Sequence, residues 1–135
     1  MSAADDWSFE ACGNKLRAAT RIVLDAENAY EVAAGEAANT EALYRKEYAH
    51  AYQTHRTGGA AVAEAETLAR GEVVVHSRAR DYAAAMLKLR GEKLEDARDS
   101  RRSLWRLIEW ARGVALARES ATAGRDEREP ADRWP

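Results

Sequence analysis

The stretch "FEACGNKLRAATRIVLDAENAYEVAAGEAANTEALY", residues 9 to 44, decides the fold. Stepping alternately by three and four from Phe9 gives Phe9, Cys12, Leu16, Ala19, Val23, Ala26, Tyr30, Ala33, Ala37, Thr40 and Tyr44. These are a and d positions sustained over about five heptads, the signature of a helix that buries one narrow seam. The a positions are mostly large (Phe9, Leu16, Val23, Tyr30, Tyr44), while many d positions are small (Cys12, Ala19, Ala26, Ala33). Small residues at alternate seam positions let two helix axes approach closely. No proline interrupts the pattern, and Gly35 costs about 1 kcal/mol relative to alanine. The spacing predicts one long helix over 8–55, capped near Asp6 or Ser8.

Downstream, "TGG" at 57–59 predicts a helix stop, with Gly58 or Gly59 in the left-handed cap conformation. Residues 60–75, "AAVAEAETLARGEVVV", predict a shorter helix with Val62, Ala65, Leu68 and Ala69 on one face, although Val73–Val75 suits an extended strand as well. A second long helix is expected over 77–118. Its apolar positions include Tyr82, Met86, Leu87, Leu89, Leu94, Ala97, Leu104, Leu107, Ile108, Ala111 and Ala115. Its middle, residues 90–103, carries nine charged residues out of fourteen. Such a polar helix suits an extended hairpin or an oligomer better than the centre of a compact core. Residues 119–135 lose the periodicity and are expected to form a disordered charged tail, with Trp134 inside it. The fold class is therefore all-α: a long hairpin or bundle of two long helices and one short one, forming a single domain over 1–118. Oligomerisation through the alanine-rich seam of Phe9, Leu16, Val23, Tyr30 and Tyr44 is the accompanying expectation.

Composition supports this and narrows the function. Of 135 residues, 33% are charged, against about 25% in an ordinary domain. The net charge is −2, but its distribution is uneven: residues 1–40 carry −4, 41–57 carry +1 and 76–118 carry +5. A positive field thus lies on the end of the first helix and on the second. One cysteine excludes an internal disulfide, and no stretch is apolar enough for a signal peptide or a membrane span. A cytoplasmic location without membrane contact is the expectation.

Catalytic patterns are missing. His50, His55 and His76 show no metal-ligand spacing, and with a lone cysteine neither a structural zinc nor any other metal or cofactor is expected. Gly58-Gly59 lacks the lysine and spacing of a phosphate loop, and Cys12 reads as a small seam residue. The chain is not expected to be an enzyme.

Binding patterns are richer. Tyr44, Tyr48 and Tyr52 stand at i, i+4 and i+8, a continuous ridge that His55 extends, with Arg45 and Lys46 beside it and Arg56 at the turn. Aromatic rings with neighbouring cations suit unpaired bases and phosphates; the same spacing also suits packing on a second helix. In the second long helix, many arginines have a carboxylate three or four residues away and read as a salt-bridged face. Arg101 and Arg102, in "SRRS", are the least neutralised. Trp105 and Trp110 cannot share one narrow face, so one of them is expected to meet a partner helix.

The segments "EALYRKEYAHAYQTHRTGG" and "MLKLRGEKLEDARDSRRSLWRLIEW", within a layout of long helix, glycine turn, short helix and long helix, resemble the UvsY-type recombination mediators of bacteriophages over about residues 20–115. The resemblance implies an oligomeric protein of the host cytoplasm that binds single-stranded DNA. It would help a recombinase replace single-strand-binding protein, without catalysing a reaction. Arg45 and Lys46 match the family's basic stretch, with Arg56 at the turn, whereas Ala49 and Ala51 stand where further cations belong. The site residues it suggests are Arg45, Lys46, Tyr48, Tyr52, His55, Arg56, Arg101 and Arg102. The competing expectation is a helical interaction module, such as a host-factor inhibitor or an assembly chaperone, that binds no nucleic acid.

Overall fold

A computed structural model of the chain describes residues 7–128, with side chains as far as residue 124. Among the described residues it contains three helices and no strand: α1 (Phe9–Thr57), α2 (Val62–Glu72) and α3 (Val74–Arg128). The start of α1 is set by Ser8, whose Oγ accepts a hydrogen bond from the Ala11 amide at 3.1 Å and so satisfies one of the donors that a helix start leaves open. Its end is a Schellman turn. The Gly59 amide donates to the Arg56 carbonyl (3.1 Å) and the Ala60 amide to the His55 carbonyl (3.0 Å). Of the two candidate glycines it is Gly59 that takes the left-handed conformation, at φ +98°.

Two boundaries are corrected at α3. The valine run 73–75 is helical, as expected, but the break between the helices falls at Val73 rather than near His76: only Val73 departs from helix geometry (φ −100°, ψ 18°), while Val74 and Val75 begin α3. The Val73 amide still donates to Ala69 and its carbonyl still accepts from Ser77, so the helical hydrogen bonding passes through the bend almost unbroken. At the other end α3 runs on to Arg128, ten residues beyond the predicted stop and into the segment read as a disordered tail. Loss of apolar periodicity does not end a helix; a breaker does. Gly124 is tolerable, and the first obstacle is Pro130, which also disfavours helix in the residue before it. Trp134 and the rest of the expected tail lie outside the described residues.

The chain divides into two compact units, Leu24–Asp96 and Met1–Val23 with Ala97–Pro135. In the first, α1 and α3 pack antiparallel: the Tyr44 ring meets Arg80, and the Tyr30 ring lies against Gly91, where an added Cβ would come within 3.4 Å of it. Ala33, Ala51, Ala65, Ala69, Val73, Ala83 and Leu94 are buried here. A core built on alanine brings backbones together but holds little apolar volume. In the second unit Cys12, Val23 and Ile108 are buried, again with α1 antiparallel to α3.

Along α1 the protected positions follow the predicted seam. Cys12, Val23 and Ala33 are buried, Leu16, Ala19, Ala26, Ala37, Thr40 and Tyr44 are half-buried, and Tyr30 is 38% exposed. Val23 is buried within one chain, and Tyr30 and Tyr44 meet the chain's own α3, so the seam has an intramolecular partner. Phe9 departs from the pattern at 88% exposed, because it is the first residue of α1 and has no preceding helical turn to pack beside. α3 has its own heptad, through Val73, Arg80, Leu87, Leu94, Arg101 and Ile108 with His76, Ala83, Arg90, Ala97, Leu104 and Ala111, all buried or half-buried. Three arginines and a histidine on this seam conceal it in the sequence, since long arginine stems can cover apolar surface as alkyl chains do.

Candidate nucleic-acid interface

The tyrosine ridge lies on α1 in Leu24–Asp96. Tyr44, Tyr48 and Tyr52 stack in sequence, with ring centroids 6.1 and 6.4 Å apart and interplanar angles of 28° and 15°. All three pack against a buried cluster of Ala51, Ala69 and Val73, so the ridge is received by the small side chains of α2 and the bend after it. The Arg80 guanidinium lies 4.0 Å from the centroid of the Tyr44 ring, a cation–π contact that covers one of its faces. Partial desolvation works against the Arg80 cation, but hydrogen bonding and charge from Asp81, and then from Tyr44, more than offset it, leaving the pKa above the ordinary arginine value. Glu41 also lies 3.8 Å from Arg80. His55 Nε2 pairs with Glu72 Oε1 at 2.5 Å, tying the end of α1 to the end of α2. Of the two uses open to this ridge in the sequence, the structure exhibits packing.

The cations beside the ridge differ among themselves. Arg45 is exposed and pairs with Glu41 one helical turn away at 2.9 Å. Arg56 donates from Nη1 to the Ala60 carbonyl at 3.0 Å, strapping the glycine turn. Lys46 is exposed and makes no ion pair among the described residues.

The second basic region lies in the other unit and is open. Arg101, Arg102, Trp105, Arg106 and Glu109 of α3 form, with Leu16 and Thr20 of α1, a groove of about 560 Å³. Arg101 and Trp105 are one turn apart, as are Arg102 and Arg106, so the helix sets three cations and the indole along one wall. Trp105 is 49% exposed and has no stacking partner among the described residues. Arg102 pairs with Asp99 at 3.1 Å, both side chains being well exposed, a pairing of little strength in water. Arg106 is exposed and unpaired among the described residues.

Trp105 also borders an adjoining cleft of about 680 Å³ lined by Trp7, Phe9, Cys12, Leu16, Ile108 and Arg112, among others. Lys15 Nζ sits 5.4 Å over the Trp7 ring at its rim. Trp105 and Arg106 are thus groove residues that sequence reasoning did not assign to the site. The signal was present in "RRSLWR", residues 101–106, once it is read at a spacing of four rather than as a run.

Among the described residues no three His, Cys, Asp or Glu side chains converge as metal ligands, and no helix is long and apolar enough to cross a membrane. No protein-family model matches the chain, and neither a curated protein nor a solved structure is significantly similar to it.

Proposed function

We propose that the protein binds single-stranded nucleic acid through the groove of Arg101, Arg102, Trp105 and Arg106, and that it acts, as the UvsY-type resemblance implies, as a non-catalytic mediator. In that role it holds a strand in the host cytoplasm while a recombinase displaces single-strand-binding protein. The observation that carries this reading is an indole half open to solvent with arginines on the turns before and beside it. An unpaired base stacks on such a ring, and arginines neutralise the phosphates on either side. Lys46, with Arg45, supplies further positive charge on α1. The packed tyrosines, His55 and Arg56 then support the fold rather than contact the strand.

The test is a titration of labelled single- and double-stranded oligonucleotides over a salt series. Single strands should bind more tightly than duplex, with affinity falling steeply as salt rises. Arg102→Glu/Arg106→Glu should lower the slope of log affinity against log salt by about 1.4, since each phosphate contact on a single strand contributes about 0.7. Arg45→Glu/Lys46→Glu should have a smaller effect, because Glu41 already neutralises Arg45. Failure to bind at low salt, or a preference for duplex, overturns the proposal. The apolar cleft beside Trp105 favours a second reading in that event, a helical module that takes a segment of another protein without nucleic acid.

A further inference from the structure

α3 carries a second heptad stripe that its own chain leaves largely uncovered, with only Met86 of its residues half-buried. Val75, Tyr82 and Leu89 recur every seven residues and are 75%, 70% and 42% exposed. Ala79 and Met86 fall between them, so the run Val75, Ala79, Tyr82, Met86, Leu89 alternates steps of four and three, as an a/d seam does. Each of these positions is one residue before an inner-seam position, so at 3.6 residues per turn the stripe lies about 100° around α3 from the seam that faces α1, and it falls wholly within Leu24–Asp96. We propose that it is covered by a second copy of the chain, with α3 pairing antiparallel to α3 along these five residues.

Size and charge both select that occupant. In an antiparallel pair each a position meets a d position of the other helix. Centring the pair between Tyr82 and Met86 sets Tyr82 against Met86 of the second copy and Ala79 against Leu89, with each layer repeated by the two-fold axis. Large residues then meet adaptable or small ones in every central layer. The next layer sets Val75 under the aliphatic stem of Lys93, whose ammonium reaches out to water. The same register brings the flanking Arg78 of one copy opposite Glu92 of the other, twice, with Ala85 against Ala85 between them. Neither Arg78 nor Glu92 makes an ion pair among the described residues of its own chain. A parallel pairing sets Arg78 against Ala83 and loses the complementarity. A self-complementary patch of this kind is what a two-fold dimer needs. The inference is independent of nucleic-acid binding.

Sedimentation velocity of the full chain over a concentration series tests it. The wild type should form a reversible dimer. Tyr82→Glu/Leu89→Glu should run as a monomer with unchanged far-ultraviolet circular dichroism, both residues being exposed in the single chain. Arg78→Glu and Glu92→Arg should each weaken self-association about tenfold, because two attractive pairs become repulsive. The double variant Arg78→Glu/Glu92→Arg should restore it, since the swap exchanges the partners. A monomer at every concentration up to the solubility limit overturns the proposal. So does a dimer indifferent to the stripe substitutions, or a double reversal that fails to rescue.

Discussion

The tyrosine ridge of α1 and the Trp105 groove of α3 use the same kinds of residue to opposite ends. Each sets aromatic rings beside arginines one helical turn apart. In the ridge, Ala51, Ala69 and Val73 offer a shallow surface into which three large rings fit, and Arg80 closes over Tyr44. Beside Trp105, the facing α1 positions include Leu16 and Thr20, and the ring stays half in solvent. Whether an aromatic-cationic helix face is packed over or left as an open groove therefore follows here from the side chains that meet it, not from its own spacing.

Substitutions in the two regions should separate accordingly. Tyr44→Ala should have the largest effect, lowering unfolding free energy by about 2–3 kcal/mol, somewhat below a fully buried aromatic because the ring is half-buried. Chemical denaturation measures it, and single-strand affinity extrapolated to the folded protein should hardly move. Trp105→Ala should invert that pattern, losing about 1–3 kcal/mol of single-strand affinity, the worth of one stacked base, with a small change in melting temperature. If both substitutions shift stability and neither shifts affinity, the contrast between the regions is lost. Gly59→Ala should cost about 1 kcal/mol, since φ +98° suits only glycine, and thermal melts would register it. Smallest of all, Glu72→Gln should cost under about 1 kcal/mol, as the Glu72 side chain is more than half exposed although His55 is half-buried; a larger loss would mean that the ridge depends on this clasp.

Much of the fold was legible in the sequence because α1 obeys one rule throughout. Its seam from Cys12 to Tyr44 contains no charged residue, so periodicity alone places each position. The glycine turn was legible for the same reason, because only glycine meets its backbone demand without strain. α3 hid its register, since Arg80, Arg90 and Arg101 occupy seam positions that a count of apolar residues skips. That count also mixed inward residues such as Leu94 with outward ones such as Tyr82. The site was legible only in part. Arg101 and Arg102 stood out as the least neutralised arginines of α3, with only Asp99 one turn from Arg102, whereas the fate of Tyr48 and Tyr52 depended on α2, a partner that nothing within the tyrosine segment specifies.

The hairpin connectivity also orders assembly in time. His55 and Glu72 meet across a separation of 17 residues, whereas Leu16 and Trp105 close a loop about five times longer. By the logarithmic law of loop closure, the longer loop costs about 1.5 kcal/mol more in chain entropy if formed alone. Closure should therefore begin at the glycine turn and travel outward, bringing the Trp105 groove together last. On the reverse path it is the first place to open, so slow hydrogen exchange should concentrate near Ala69 and fade toward Ile108.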